Sequence, residues 1–282
     1  FYSERSGLPP EKWKGKRTER TGMNLGKIIF PCVEFKTPEL QKLLAEIKKT
    51  TIYRVSKEEF NKEVKIGNIV YSLGTGGLHS RDIPMEIWST TPYDGGTVVS
   101  ASPTGEQKNA NPFTIFHFDV ASYYPSIMAE YEVAPAHMLK KIFAGLIRWM
   151  KDTRVKVKHS LDDIVDGIPR DVLALVLKIV INSIYGKFGF EKGDLYDRRA
   201  VLEVTINGQL MLLMLCEQLE LNGIHIISAN TDGIMVKVYD KDISKYECIT
   251  QWWQEKTKMS ADTDVVHCLI ARDVNNYICQ FR

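Results

Sequence analysis

Residues 224–238 read IHIISANTDGIMVKV. Ile224, Ile226 and Ile227 form one β-rich run and Ile234, Met235, Val236 and Val238 another, with the polar connection Ala229, Asn230, Thr231, Asp232 and Gly233 between them. This spacing predicts a β-hairpin with a carboxylate at its tip. Upstream, Thr114 to Asp119 (TIFHFD) is a second β-rich run that also ends on an aspartate and passes at once into VASYYPS. If the two runs pair in one sheet, Asp119 and Asp232 meet at a common edge. Two carboxylates at that distance repel unless they share cations, and hard divalent ions such as Mg²⁺ prefer oxygen ligands of this kind. The simplest use of the pair is a two-metal site for phosphoryl transfer, with ions roughly 3.5 to 4 Å apart.

The chain has 282 residues, 44% of them hydrophobic and 26% charged, enough for a substantial core in one large domain or two intimate subdomains, and the composition excludes wholesale disorder. The net charge of +2 says nothing by itself about nucleic acid. The distribution says more: Lys140, Lys141, Arg148, Lys151, Arg154, Lys156 and Lys158 are interrupted only by Asp152, a run that serves either as a solvated helix face or as an anion site. The five cysteines form no CxxC pair and accompany no histidine cluster, so a zinc site or disulfide framework is not expected and a reducing, cytoplasmic setting is. The strongly apolar stretch Leu210 to Cys216 is too short to span a bilayer, and no membrane association is expected. Both ends have the look of cuts within a longer polypeptide.

In chain order, Phe1 to Arg20 mixes Gly, Pro and charge and is read as an extended connector. Thr37 and Pro38 give a helix start, with Leu40, Leu43, Leu44 and Ile47 as its apolar stripe. Ile52 to Val55 and Ile66 to Leu73 are read as strands leading into the glycine loop 74–79 (GTGGLH). Gly76 and Gly77 either serve a turn or let the backbone approach a phosphate chain. Ser100 to Asn111 is read as a polar loop. A helix is expected from Arg170 to Lys187, with Lys178, Asn182 and Tyr185 on one face and Leu173, Leu177, Val180, Ile181 and Ile184 on the others. Arg154 and Lys158 lie one turn apart and point the same way, so these cations together suggest a polyphosphate site. Leu202 to Asn222 is a long helix stopped by Gly223, in which Met211, Leu213, Met214 and Cys216 pack and Asn207 and Gln209 could face a groove. Ile243 to Met259 is read as a helix anchored by Trp252 and Trp253, and Val265 to Ala271 as a further strand.

These residues, taken together, resemble the family B DNA polymerases. Asp119 to Ile127 (DVASYYPSI) is similar to motif A, DxxSLYPSI; Lys178 to Gly186 (KIVINSIYG) matches motif B, KxxxNSxYG, at every fixed position; Asn230-Thr231-Asp232 stands where motif C has DTD. The resemblance implies an α+β fold: a right-hand polymerase palm with an antiparallel sheet packed on helices, plus a short helical fingers hairpin, without thumb or exonuclease. The implied boundaries are a connector over 1–79, palm over 80–139, fingers over 140–188 and palm again over 189–282. Asp119 and Asp232 become the catalytic, metal-binding aspartates, with the Val120 carbonyl as a further ligand for two Mg²⁺, or Mn²⁺ in their place. Ser122 and Tyr123 hold the triphosphate, and Tyr124 is the steric gate against a 2′-hydroxyl. Arg154, Lys158 and Lys178 grip the phosphates while Asn182 lines the nascent pair. Tyr185, Gly186, Thr231, Tyr277, Gly76 and Gly77 face template or primer. The implied partners are primer–template DNA, dNTPs, and exonuclease and thumb domains of the same polypeptide.

The motif departs from the family at Asn230 and Gly233, where an aspartate and a serine are usual; NTDG resembles a bacteriophage-type variant, which implies viral DNA replication. Asn275-Asn276-Tyr277 keeps only the tyrosine of the family's KxY element. A catalytically silent nucleic-acid-binding palm and a metal-dependent nuclease are the competing readings, and the nuclease leaves Lys178 and Tyr124 without a task.

Overall fold

The computed structural model describes residues 2–81, 86–89, 99–102, 105–108 and 113–281, with backbone alone at 86–89, 99–102, 105–108 and 272. In chain order the elements are α1 Tyr2–Ser6, β1 Met23–Asn24, α2 Pro38–Lys49, β2 Thr51–Ile52, β3 Lys62–Ile66, β4 Ile69–Leu73, β5 His79–Arg81, β6 Glu86–Ser89, β7 Val99–Ser102, β8 Gly105–Lys108 and β9 Phe113–Val120. They continue with α3 Tyr123–Glu130, α4 Lys140–Lys158, β10 Ile164–Val165, β11 Ile168–Pro169, α5 Arg170–Phe188, α6 Arg198–Leu221, β12 His225–Asn230, β13 Gly233–Tyr239, α7 Ile243–Thr257, β14 Ala261–Asp273 and β15 Asn276–Phe281. The chain divides into two compact units, one of residues 1–30, 49–55 and 122–207, the other of 31–48, 56–121 and 208–282.

The second unit is built on an antiparallel sheet in the order β3-β4-β5-β12-β13-β9-β14-β6-β7-β8, with β15 also paired to β14. This is the α+β architecture expected. The sheet is two-faced because strand side chains alternate. Phe116 stacks on Tyr246 of α7 at 4.9 Å, and Phe118 meets Trp253 edge-on at 5.6 Å. The Trp253 ring N–H donates to the Met211 carbonyl at 2.6 Å, so the largest fully buried side chain among the described residues is also tied to α6. The apolar half of the opposite face, Phe113, Ile115, Met235, Val266 and Leu269, forms a second buried cluster.

The first unit is helical. Helices α4 and α5 pack as an antiparallel hairpin joined through the small ladder β10-β11, and Phe143 lies 5.9 Å from Phe188 between them. The expected helix at Arg170 to Lys187 is present as α5. Its Val172, Leu175, Val176, Ile179 and Val180 are exposed.

Several local expectations are corrected. Ile66 to Leu73 is not one strand: Gly67 takes φ +57 and turns the chain between β3 and β4, a conformation open to glycine and costly for most other residues. The strand at Ile52 ends there, since β2 is only Thr51–Ile52. Phe1 to Arg20 is not a plain connector; α1 buries Tyr2, whose hydroxyl accepts the Leu139 N–H at 2.8 Å. The polar loop at Ser100 to Asn111 contains the pair β7 and β8, and residues 103, 104 and 109–112 lie outside those described. Thr37 precedes α2 as expected, but its hydroxyl donates to Glu217 at 2.6 Å in place of capping. Asn207 and Gln209 do not face a groove. Both are buried: Asn207 accepts from Phe30 N and donates to the Ile28 carbonyl, and Gln209 exchanges two hydrogen bonds with the Gly74 backbone. Each satisfies chain that has no ladder partner there, which is the usual requirement for a buried amide. Helix α6 is long and apolar enough to cross a membrane, with mean hydropathy 1.4, yet 94% of that window is buried, as in a core helix.

Candidate functional site

In the second unit β9 lies between β13 and β14, and Asp119 stands opposite Gly233 on one side and Asp262 on the other. The hairpin of β12 and β13 closes tighter than expected, since Asn230 already pairs with Gly233 and only Thr231 and Asp232 lie between. Asp232 is therefore fixed beside Asp119, and the Val120 N–H donates to the Asp232 carbonyl at 2.8 Å. The two carboxylates meet at the same end of neighbouring strands. Thr231 pays for this turn with φ +52, a left-handed conformation that a β-branched residue rarely adopts. Its N–H donates to the Leu78 carbonyl at 2.7 Å, and a Cβ at Gly77 would fall 2.4 Å from its hydroxyl. The glycine loop thus seats the hairpin tip, and Gly77 is required by that close approach. Gly76 has nothing within 4 Å of where its Cβ would stand.

Gly233 is similarly constrained: a Cβ there would lie 3.1 Å from the Phe118 carbonyl and 3.4 Å from Asp119 Oδ1. Around the pair opens a cavity of about 160 Å³ lined by His117, Asp119, Asn230, Asp232, Val274 and Tyr277 among others. Burial first, and then the neighbouring Asp232 carboxylate, raises the Asp119 carboxyl above its usual range; Asp262 and Asp264 add to this and His117 opposes it. Burial likewise raises Asp232, against its own backbone N–H and His117. The tyrosine of the Asn275-Asn276-Tyr277 element lines the same cavity as the carboxylates, and burial, then Cys279, Asp119 and Asp232, raise its phenol. Two of the residues that depart from the family motifs meet each other: Asn230 Nδ2 donates to Asn275 Oδ1 at 3.4 Å.

A divalent cation fits this donor set in kind. The donors are oxygens, and close like charges that hold protons too tightly are what a cation relieves. Among the described residues no group of three His, Cys, Asp or Glu side chains is arranged to hold a metal. Asp119 and Asp232 with a backbone carbonyl would leave the other positions of a six-coordinate Mg²⁺ to water and substrate phosphate, the usual division for that ion.

His117, Asp262 and Asp264 were not singled out from the sequence. The signal was the two-residue spacing: His117 shares a face with Asp119, and Asp262-Thr263-Asp264 alternates as a strand would. The strand expected from Val265 begins at Ala261, and that shift brings both carboxylates into register with His117 and Asp119.

The first unit gathers the rest of the expected residues. Ser122 precedes α3 in the left-handed region, φ 48 and ψ 54, and Arg154 Nη1 donates to its hydroxyl at 3.2 Å. Lys151 donates to the Ser126 hydroxyl at 3.3 Å and Arg148 to the Ala129 carbonyl at 2.8 Å. The basic run on α4 is therefore no plain solvated face, because three of its cations fasten α3. Tyr123 is buried, and the Tyr124 ring lies 4.7 Å from that of Tyr185 on α5. Burial raises the Tyr185 phenol. Lys158, Lys178, Asn182 and Gly186 are solvent-exposed. Ser122, Tyr124, Arg154 and Tyr185 are thus brought together, with Lys178 and Asn182 on the same helix as Tyr185.

Comparison with known proteins gives these motifs their context. Residues 134–261 match the model of DNA polymerase family B. That segment includes Lys178 to Gly186 and Asn230 to Asp232 and begins beyond Asp119. A DNA polymerase of Thermococcus sp. (strain 9oN-7) is 29% identical over 153 residues, 45% of this chain and 20% of its own length. DNA polymerase 1 of Pyrococcus abyssi is 27% identical over 148 residues, 44% of this chain and 19% of its own. The DNA polymerase alpha catalytic subunit of Oryza sativa subsp. japonica is 26% identical over 172 residues, 54% of this chain and 11% of its own. The chain therefore spans a fifth or less of the length of these relatives. The solved family B DNA polymerase of the hyperthermophilic archaeon Pyrobaculum calidifontis aligns with 61% of this chain and 26% of its own, at 17% identity and a TM-score of 0.45. The relatives named are archaeal and plant, and they lend no support to the bacteriophage-type subgroup that Asn230 and Gly233 suggest.

Proposed function

We propose that this chain carries the palm and fingers of a DNA-directed DNA polymerase, adding deoxynucleotides to a primer 3′-hydroxyl with release of pyrophosphate. The observation that carries the reading is the register of β9 and β13, which sets Asp119 opposite Gly233 and so beside Asp232. Mg²⁺ bound there, or Mn²⁺ in its place, would supply Lewis acidity at the attacking hydroxyl and at the phosphates. The chain's own residues do the positioning. Asp119 and Asp232, with the Val120 carbonyl, offer hard oxygen donors at a fixed spacing. Arg154, held on the Ser122 turn, and the exposed Lys158 and Lys178 offer positive charge to a triphosphate and to the charge that builds on its leaving group. Ser122 and Tyr123 present the backbone that follows Asp119. The Tyr124 ring, braced by Tyr185, is the surface against which a sugar would pack, and a 2′-hydroxyl would collide with it. Asn182, Gly186, Thr231 and Tyr277 are assigned to the nascent pair, template and primer, and Gly76 and Gly77 to the neighbouring strand.

The partners in this reading are primer–template DNA, dNTPs and further domains of the same polypeptide, consistent with the small share of the relatives' length that the chain spans. The reading includes a reducing, cytoplasmic setting, the expectation from five cysteines with no CxxC pair. A viral setting rests on the Asn230 and Gly233 variant alone. The test is primer extension with dNTP and Mg²⁺. Extension by the chain, lost by about 10³-fold or more in Asp232→Ala with the fold retained, is expected; full activity in that variant rules the assignment out. A chain that shifts DNA in a gel yet never lengthens a primer would be a binding palm instead. Tyr124→Ala should admit ribonucleotides, and unchanged sugar selectivity would remove the gate.

A further inference from the structure

Within the first unit a cavity of about 680 Å³ opens between the segment Arg20 to Ile28, the Thr51 to Tyr53 stretch and the start of α6. Three cations line it, Arg20, Lys27 and Arg199, and no carboxylate does. Beside them Tyr53 is 61% exposed, a large aromatic surface left in solvent. A second cavity of about 410 Å³ shares Arg20 and Thr21 with the first and adds Arg17 and Arg198, together with Glu19 and Glu191.

The cations differ in how far their charge is met. Arg20 is matched by Asp197, which it holds through two hydrogen bonds of 2.8 and 3.0 Å and which is 1% exposed; that pair is a structural bolt. Arg199 has Glu203 at 3.5 Å. Arg198 donates to the backbone carbonyls of Tyr53 and Arg20, neither of which carries formal charge, and its Nε is buried without a hydrogen-bond partner. Lys27 is exposed. Surplus positive charge along an open groove, next to an exposed ring, is the combination that holds an unpaired nucleic-acid strand: cations track the phosphates and the ring stacks a base. Duplex DNA has its bases stacked on one another and offers no face to Tyr53.

We infer that the two adjoining cavities form one groove that binds single-stranded nucleic acid, through Lys27 and the Tyr53 ring of the first and Arg198 of the second. On the polymerase reading, which this inference extends, the strand is the unpaired part of the template. None of the residues assigned to catalysis or to the nucleotide belongs to the groove.

The test uses the 282-residue chain and a fluorescent oligothymidylate, read by anisotropy without nucleotide or divalent cation, so that it does not depend on catalysis. Tyr53→Ala should weaken binding about fivefold to a hundredfold, the range for loss of one stacked base, while Tyr53→Phe binds as the parent does. Lys27→Gln should lower the slope of log affinity against log salt by about 0.7, the loss of one phosphate contact on a single strand. Both side chains are exposed, so neither change threatens folding. Affinity of Tyr53→Ala within twofold of the parent, or an equal loss on duplex DNA of the same length, overturns the groove. In primer extension, Tyr53→Ala should raise the KM for DNA with a long template overhang and leave it unchanged with a one-nucleotide overhang; a KM indifferent to overhang also overturns it. Failure of the parent chain to extend any primer would count against the polymerase reading while leaving the oligothymidylate result standing.

Discussion

Asp119 shows how one side chain is set up by its surroundings for the role proposed for it. Its strand neighbours Phe116 and Phe118 pack against α7, and alternation then sends His117 and Asp119 to the other face, where Gly233 leaves room for the carboxylate. The cost is electrostatic, since burial and Asp232 raise its carboxyl. A raised carboxyl binds its proton more tightly in the folded chain than in the unfolded one. Its contribution to stability is therefore complete below the ordinary aspartate value of 3.8 and is lost as pH climbs through the raised value. Asp119→Asn should accordingly melt higher than the parent at pH 7 in the absence of divalent cations, with the advantage disappearing at a pH where Asp119 is protonated. Thermal unfolding at the two pH values checks this, and a lower melting temperature for the variant at pH 7 contradicts it.

At the level of the elements, the hairpin of β12 and β13 and the connection between β14 and β15 each carry a departure from the family motifs, and the two touch. Asn230 replaces an acid and Asn275 replaces a base, and the two amides face one another across 3.4 Å. A neutral pair has taken the place of a charged one. Asn230→Asp alone adds a carboxylate near Asp232 and should slow incorporation by about tenfold, while adding Asn275→Lys should restore most of the loss, with a coupling of about 0.5 to 3 kcal/mol. Rates for the single and double variants measure it, and strictly additive effects would break the link. The hairpin, α5 and the pairing of residues 114–119 with 233–238 were legible in the sequence because each combines strong periodicity with a clear stop, such as Gly223 at φ +76 after α6. What was not legible depended on partners distant in the chain. Asn207 and Gln209 look like groove residues until Ile28, Phe30 and Gly74 are brought to them. Thr37 looks like a cap until Glu217 claims its hydroxyl. Asp262 and Asp264 acquire meaning only when β14 lies against β9.

For the molecule as a whole, the site depends on a sheet clamped from one face. Trp253 is fully buried, meets Phe118 and hydrogen-bonds the Met211 carbonyl, so it joins α7, β9 and α6 at one point. Trp253→Ala should destabilise the chain by about 3 to 5 kcal/mol. Denaturant unfolding gives the value, and a loss below about 1 kcal/mol would mean that the sheet is held elsewhere. The matched family segment, residues 134–261, contains α7 and the hairpin but not Asp119, so the strand that completes the carboxylate pair is supplied from outside that segment. The most direct test of the whole account is therefore a titration of Mn²⁺, followed by its electron paramagnetic resonance signal, into the chain with a bound dNTP. Asp119→Asn and Asp232→Asn should each weaken Mn²⁺ binding about tenfold or more, because on the proposed reading each removes one of two charged ligands to the same ions. Binding unchanged in either variant would show that these aspartates do not share a cation.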